Sequence, residues 1–133
     1  MSKKIYQCNR QQNVLWLRAA VAKSTQAPII VRLLVDTGAS YTVIPTKILE
    51  RIGCNSDRTQ QYKKIVTANG AIDVPIVTIP WFNCLGMKRK NYPVVALNLP
   101  VNIFTDGLLG MDFLREVGAI IDTAKAQIIV KSK

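Results

Sequence analysis

Residues 29–40 read IIVRLLVDTGAS, an apolar segment followed directly by a short polar one. Its first part, Ile29–Val35, is apolar and rich in β-branched residues, which is typical of a buried strand. Asp36-Thr37-Gly38 then predicts a loop, in which the glycine lets the backbone turn tightly beneath the aspartate. Thr42-Val43-Ile44 returns to a strand. Because aspartate and glycine also occur in ordinary turns, the context of this triplet carries the argument.

Two further motifs follow the aspartate loop. Thr67-Ala68-Asn69-Gly70 contains Asn-Gly, a strong signal for a two-residue hairpin turn. Leu108-Leu109-Gly110 comes next and leads into a short helix predicted over Asp112–Val117, which Gly118 ends. Two buried aliphatics followed by glycine and a helix would close a loop behind the acid. The order of these three motifs makes the signal strong.

The rest of the chain predicts short strands separated by turns. A brief helix is expected from Pro45 to Ile52, since proline favours a helix start and Gly53 a helix end. The predicted hairpins pair Val14–Ala22 with Ile29–Val35, Ile65–Ala68 with Ala71–Ile79, Thr78–Phe82 with Tyr92–Leu97 through a loop at Asn83–Met87, and Ala119–Ile121 with Gln127–Val130. Many short strands and two short helices predict a single all-β, barrel-like domain.

Composition excludes several kinds of chemistry. The chain has 133 residues, of which 49% are hydrophobic and 20% charged, as expected for one folded domain. It contains no histidine, which excludes Ser-His and Cys-His catalysis and histidine-based metal sites. Its three cysteines, Cys8, Cys54 and Cys84, form no C-x-x-C pair. We therefore expect neither a metal nor a cofactor.

The same features indicate where the protein works. An odd number of cysteines fits free thiols in a reducing compartment. The basic N-terminus is not followed by the apolar segment of a signal peptide, and no apolar run approaches the ~20 residues that span a bilayer. We expect a soluble protein of the cytoplasm without a membrane span.

The formal net charge of +10 raises the question of an acidic partner. The basic residues are dispersed apart from Lys3-Lys4, Lys63-Lys64 and Lys88-Arg89-Lys90. No aromatic RNA-binding pattern, helix-turn-helix or zinc knuckle accompanies them. We therefore expect a solvated basic surface and no specific nucleic-acid partner.

These motifs together resemble the retropepsin-like aspartic proteases, in a bacterial-like variant. The resemblance covers Val14–Val130, so that residues 1–133 form one domain with 1–13 as a possible N-terminal extension. It implies a closed β-barrel that acts as a homodimer on a polypeptide substrate, with the active site on the twofold axis. Asp36 corresponds to the catalytic acid, Thr37 and Gly38 to its supporting loop, and Ile65–Val77 to a flap.

The resemblance also implies substrate contacts. The positions that would contact substrate are Ala39, Ser40, Thr67, Ala68, Asn69, Gly70 and Leu108. Apolar pocket walls are expected from Val43, Ile44, Ile72, Val74, Leu108 and Leu109. The expected function is that of an aspartic endopeptidase, in which two Asp36 carboxylates share the activation of a water. The alternative is a non-catalytic peptide-binding or assembly module on the same fold.

The sequence departs from the retroviral pattern at one coupled pair. Retroviral enzymes follow their Leu/Ile-Gly with an arginine, which pairs with an aspartate four residues after the catalytic one. Here those positions hold Met111 and Ser40, and both partners are absent together, as a buried ion pair requires. Since that pair also braces the subunit interface, we expect the dimer to depend on Thr37 and on chain-end strands such as Gln127–Val130.

Other conspicuous residues have structural interpretations. Asp122-Thr123-Ala124 also follows an apolar strand but lacks the glycine, so it is interpreted as a hairpin turn. Asp112 falls in the first turn of the second helix, where a carboxylate meets free backbone amides. Trp16, Trp81 and Phe82 are interpreted as core or barrel-wall residues.

Overall fold

The computed structural model describes residues 2–23, 27–100 and 105–131. In these ranges the chain forms eleven strands, two short α-helices and one 3-10 turn, which confirms an all-β fold. The strands are β1 (Lys3–Gln7), β2 (Asn9–Gln11), β3 (Val14–Ala22), β4 (Ile29–Val35), β5 (Val43–Ile44), β6 (Tyr62–Thr67), β7 (Gly70–Cys84), β8 (Met87–Ala96), β9 (Gly107–Leu109), β10 (Ile120–Asp122) and β11 (Gln127–Lys131). The helices are α1 (Thr46–Arg51) and α2 (Met111–Glu116), and the 3-10 turn covers Ser56–Arg58.

Six strands close into a barrel, as the sequence predicts. Their order is β3-β4-β9-β5-β8-β7, and β7 pairs back onto β3, with Ala20 opposite Asn83 and Ala22 opposite Trp81. The predicted hairpin of β3 and β4 has the bounds expected from the sequence. Because the barrel is closed, each of these six strands has a hydrogen-bonded neighbour on both sides.

Three aromatic rings pack together in the hydrophobic core and anchor α2. Phe82 and Phe113 are fully buried, and their ring centroids lie 5.2 Å apart in an edge-to-face arrangement. Tyr92 stacks on Phe82 at 5.1 Å and meets Phe113 edge-on at 5.9 Å. Burial of one phenylalanine side chain stabilises a fold by about 2–3 kcal/mol. Phe113 thereby holds α2, and the Leu-Leu-Gly segment before it, against the barrel. Of the other predicted core or wall residues, Trp16 is buried and Trp81 is half-buried.

The hairpin of β6 and β7 differs by one residue from the sequence prediction. Thr67 pairs with Gly70, so the two-residue loop is Ala68-Asn69 rather than Asn69-Gly70. Gly70 is then the first paired residue, and its φ of 115° is one that glycine adopts without strain. Gly70 therefore follows the two-residue loop, whereas the sequence pattern placed it as the second residue of that loop.

The hairpin of β7 and β8 was predicted with too long a loop. β7 continues to Cys84 and β8 begins at Met87, so that only Leu85 and Gly86 connect them, where Asn83–Met87 was expected. Their φ values of 53° and 69° are those of a type I′ turn, which matches the twist of the paired strands. A leucine is an unusual residue for the first of these positions, so no local pattern predicts this short turn.

The chain ends form a second sheet in the order β1-β11-β10. Residues 3–11, which lie outside the family resemblance, contribute β1 and β2, and β1 pairs with β11 from Lys3–Lys131 to Gln7–Gln127. The expectation that Gln127–Val130 pairs with a second chain is wrong, because β1 and β10 of the same chain occupy both edges of β11. The outer strands of this sheet are β1 and β10.

Candidate active site

The position of Asp36 is fixed by the pairing of β4 with β9. The two strands run parallel, with Leu33 opposite Gly107 and Val35 opposite Leu109. Directly after β4, the Asp36 N–H donates a hydrogen bond of 3.0 Å to the Leu109 carbonyl oxygen. The Leu-Leu-Gly segment therefore holds the backbone from which the carboxylate projects, although 73 residues of chain separate the two.

The loop turns tightly around the carboxylate. The Gly38 N–H donates to Asp36 Oδ1 at 2.9 Å, and the Ala39 N–H donates to the Asp36 carbonyl oxygen at 3.2 Å. A Cβ atom on Gly38 would lie 3.2 Å from Asp36 Oδ1, closer than ordinary van der Waals contact. Asp36 is half-buried, so its carboxylate is oriented by the loop and still reaches the solvent side.

Gly110 lets the Leu-Leu-Gly segment pass directly against the chain that follows the acid. A Cβ atom at Gly110 would lie 2.5 Å from the Tyr41 carbonyl carbon, so any other residue would displace the backbone. The first turn of α2 then donates two hydrogen bonds to the loop, from Met111 N–H to the Ala39 oxygen at 2.8 Å and from Asp112 N–H to the Ser40 oxygen at 3.2 Å. Helix and acid loop are thus one hydrogen-bonded unit.

Asp112 joins the same two segments through its side chain. Its Oδ1 accepts from the Phe113 N–H at 2.8 Å, which confirms its predicted role at the start of α2. Its two oxygens also accept from Thr42, at 3.0 Å from the N–H and 2.8 Å from the hydroxyl. The Thr42 hydroxyl in turn accepts from the Gly110 N–H at 3.1 Å.

Sequence reasoning missed Thr42, whose hydroxyl side chain is fully buried. The available signal was a threonine at the start of a short strand whose next two residues, Val43 and Ile44, are buried and apolar. Ser40 and Met111 stand where the retroviral pattern has its ion pair, and Asp112 with Thr42 links the acid loop to the helix beside them.

A hollow of about 470 Å³ lies between the acid loop and the β6–β7 hairpin. It contains three of the residues predicted to contact substrate, namely Ala39, Ser40 and Leu108. The full lining is Gly38, Ala39, Ser40, Tyr41, Val43, Lys64, Ile65, Val66, Leu97, Leu99 and Leu108. Its walls are mainly apolar, and one lysine contributes charge.

The remaining predicted contacts lie elsewhere in this single chain. Ala68, Asn69 and Gly70 lie at the exposed end of the β6–β7 hairpin and do not line the hollow, and the backbone of Thr67 pairs with Gly70 beside them. Among the expected apolar walls, only Val43 and Leu108 are in place. Ile44, Leu109 and Val74 are buried in the core instead, and Ile72 is 42% exposed on the hairpin.

Thr37 faces a different hollow, of about 390 Å³, on the side of the loop nearest α2 and β10. Thr37 itself is exposed, Met111 is 39% exposed, and Ile121 of β10 completes the edge of this surface. The acid loop therefore separates a hollow under the hairpin from an open surface made by the helix and the terminal sheet.

Other candidate groups have structural roles. The Asp122 carboxylate accepts from the Lys125 N–H at 3.0 Å, which confirms the hairpin turn predicted for this second Asp-Thr. The three cysteines are free, and burial raises the pKa of Cys84 to about 12, so this thiol is unreactive. Within the described ranges, no three acidic or thiol groups cluster as metal ligands would, and no helix has the length and apolar character needed to cross a membrane.

Comparison with known proteins agrees with this geometry. The sequence matches the family described as aspartyl protease over residues 22–113. No curated protein sequence matches it significantly. Among solved structures, a retropepsin-like aspartic protease from Rickettsia conorii superimposes with a TM-score of 0.68 at 21% identity, covering 97% of this chain and 92% of that one.

Two further structures share the fold. The retroviral protease-like domain of Ddi1 from Leishmania major has a TM-score of 0.57 at 16% identity, over 90% of both chains. The EIAV protease, in complex with the inhibitor HBY-793, has a TM-score of 0.54 at 19% identity, over 80% of this chain and 90% of that one. At these identities the likeness establishes the fold.

Proposed function

Because this chain belongs to the aspartyl protease family, we propose that it is an aspartic endopeptidase whose active site forms from two copies of the chain, each contributing Asp36. The observation that carries the proposal is the Asp36 loop. The carboxylate is half-buried, oriented by the Gly38 amide and fixed to Leu109, beside an apolar hollow that can receive a peptide.

Each chain has one such loop, so the second carboxylate comes from a second copy. The resemblance of the sequence to retropepsin-like proteases likewise implies a homodimer. The second Asp-Thr of this chain, at Asp122, cannot supply the acid because its carboxylate closes a hairpin turn. The exposed Thr37, Met111 and β10 lie on one side of the acid loop and provide the surface through which two copies meet.

The chemistry follows from bringing two carboxylates within hydrogen-bond distance. Like charges this close do not both ionise, so the pair holds one proton, as is established for aspartic proteases. The ionised carboxylate takes a proton from a water, and that water attacks the carbonyl carbon of the peptide bond. The protonated carboxylate donates a hydrogen bond to the carbonyl oxygen and then protonates it. The collapse of the tetrahedral intermediate, with proton transfer to the leaving nitrogen, releases both products.

The substrate is a polypeptide in extended conformation. The mainly apolar hollow favours an apolar side chain near the cut. The β6–β7 hairpin faces this hollow through Ile65 and Val66, where its backbone can pair with an extended peptide as a strand does. We further propose that the enzyme acts in the cytoplasm, where free thiols such as those of Cys8 and Cys54 persist.

The test is loss of proteolysis in Asp36→Asn, measured on a mixed peptide library by mass spectrometry. An amide can neither share the proton nor activate water, so cleavage should fall to background while the fold is retained. Asp57→Asn, on an exposed residue of the 3-10 turn, is the matched control and should cleave as the parent does. Cleavage by Asp36→Asn at the parental rate would overturn the proposal.

The dimer requirement has its own measurement. An excess of Asp36→Asn chains added to active chains should poison activity through mixed dimers. Specific activity should rise with protein concentration until dimers dominate, as sedimentation measures them. Constant specific activity at concentrations where only monomer sediments would refute the shared site. Binding of peptides without cleavage by the parent chain would instead identify the non-catalytic module.

A further inference from the structure

A second hollow, also of about 470 Å³, adjoins the one under the hairpin, and Tyr41 lines both. Moving away from Asp36, the acid loop runs through Gly38 and Ser40 to Tyr41, and the first hollow accompanies it. Tyr41 also lines the second hollow, which continues outward between β6, β8 and α2. The two hollows therefore adjoin at Tyr41, and we refer to the pair as the channel.

Side chains of β6 line the two hollows in the same order. Ile65 of β6 lines the first hollow and Lys63 lines the second. Residues two apart on a strand project from the same face, so these side chains reach the channel one after the other. An extended substrate obeys the same alternation. The side chain that enters the second hollow therefore lies two residues further from the cut than the one that enters the first.

The charges around the second hollow favour an anion. Its lining includes the cations Lys63, Arg89 and Lys90 and the carboxylates of Asp112 and Glu116. Both carboxylates are already engaged, since Asp112 accepts from Thr42 and Phe113, and Glu116 accepts from the Arg89 guanidinium. Hydrogen bonding leaves both carboxylates charged, so the three cations of the lining exceed them by one formal positive charge.

Among these cations, Lys63 is the best placed to pair with an acidic side chain of a substrate. Its Nζ lies 5.9 Å from the centroid of the Tyr41 ring, directly at the boundary between the two hollows. Among the described residues, it has no carboxylate within ion-pair distance, unlike its neighbour Lys64, which lies 3.9 Å from Asp73. The Lys90 amine lies over Trp81 instead, 5.5 Å from its ring centroid, and adds charge from further away.

We propose that the second hollow is a specificity pocket for an acidic side chain, in which Lys63 pairs with an aspartate or glutamate of the substrate, two residues beyond the side chain held in the first hollow. This inference rests on the proposed peptidase function and names the class of its substrates. Because two chains build the active site, the pocket occurs twice, and the acidic preference applies on both sides of the cut.

The experiment starts from a peptide library cleaved by the parent enzyme. Acidic residues should be enriched two positions outward from an apolar-enriched position. Paired peptides with glutamate or glutamine at that position then measure the effect as a ratio of kcat/KM. A partly exposed ion pair is worth up to about 1 kcal/mol, so the glutamate peptide should be cleaved about fivefold better in low salt. The advantage should shrink at ~0.5 M salt, because ions screen exposed charges.

The variants assign the preference to one residue. Lys63→Gln should abolish the difference between the two peptides, and Lys63→Glu should reverse it in favour of a lysine peptide. Lys47→Gln, on the exposed face of α1, removes the same charge elsewhere and should keep the parental ratio. Equal cleavage of both peptides by the parent, or an unchanged ratio in Lys63→Gln, would overturn the pocket while the peptidase function stands.

Binding separates this inference from the proposed function. Fluorescence anisotropy with labelled peptides on the Asp36→Asn chain needs no catalysis. Tighter binding of the glutamate peptide, lost in the Asp36→Asn, Lys63→Gln double variant, supports the pocket even if the parent cleaves nothing. Equal binding of the two peptides, or binding of neither, refutes it.

Discussion

Thr42→Val should destabilise the protein far more than its conservative chemistry suggests. Valine has nearly the shape of threonine, so the substitution leaves no cavity and tests the hydroxyl alone. That hydroxyl is fully buried, donates to Asp112 Oδ1 at 2.8 Å and accepts from the Gly110 N–H at 3.1 Å. Both partners remain in place when it is removed.

The magnitude follows from the two bonds. Loss of a hydrogen bond to a charged group costs about 1.5–3 kcal/mol, and a buried amide left without an acceptor costs about 1–3 kcal/mol. Asp112 keeps its bonds to the Thr42 and Phe113 amides, which places the total toward the lower end, at about 3 kcal/mol. Against a total stability of about 5–15 kcal/mol this is a large fraction.

Urea denaturation followed by tryptophan fluorescence measures the loss. With a slope of about 2 kcal/mol per molar urea, 3 kcal/mol lowers the midpoint by about 1.5 M. The protein concentration is held constant, because association of two chains contributes to apparent stability. Thr46→Val is the control, since its hydroxyl bonds the exposed Asn98 side chain at 3.0 Å and should cost only about 0.5 kcal/mol. Equal losses in the two variants would refute the role assigned to Thr42.

Three further outcomes follow from the same structure. Gly107→Ala should cost about 3 kcal/mol in urea denaturation, because its Cβ would collide with the Val43 carbonyl oxygen. Gly118→Ala, with φ 64° and open space around it, should cost about 1 kcal/mol from backbone strain alone. Burial raises the pKa of Tyr92 in the folded state, so the unfolded chain loses this proton first. The free energy of unfolding should therefore fall as pH rises above about 10. Tyr92→Phe should reduce the slope of that free energy against pH by up to about 1.4 kcal/mol per pH unit. Nucleic acid should bind the +10 chain weakly, without sequence preference and with steep salt dependence, so tight binding that persists at ~0.5 M salt would show a dedicated site.

Local sequence patterns correctly predicted the strands and helices that depend mainly on neighbouring residues in the chain. β3 and β4 follow from continuous β-rich composition, and α2 from the residues that begin and end it. The Asn-Gly signal identified the hairpin correctly but not its register. The pairing of Thr67 with Gly70 depends on the whole ladder between β6 and β7 rather than on the turn alone.

What the sequence missed depends on contacts between distant segments. Thr42 and Asp112 are 70 residues apart, and neither has a local pattern that names the other. The placement of β11 between β1 and β10 likewise joins residues more than a hundred positions apart. The second hollow is built from β6, β8, α2 and the acid loop, so its excess of positive charge could not be read from Lys63-Lys64 in the sequence.

The absence of the retroviral ion pair therefore has a different consequence from the one the sequence suggested. Within the chain, Asp112 and Thr42 already fix the acid loop to α2, so Asp36 is oriented before any partner binds. With β11 enclosed in its own sheet, the surface proposed for a second copy includes Thr37, Met111 and the outer strand β10, where Ile120 is 50% exposed. A loop oriented in advance needs its partner only for the second carboxylate. If two copies form the proposed active site, their association can be weak without disordering the loop, and the proposed activity should then rise with protein concentration.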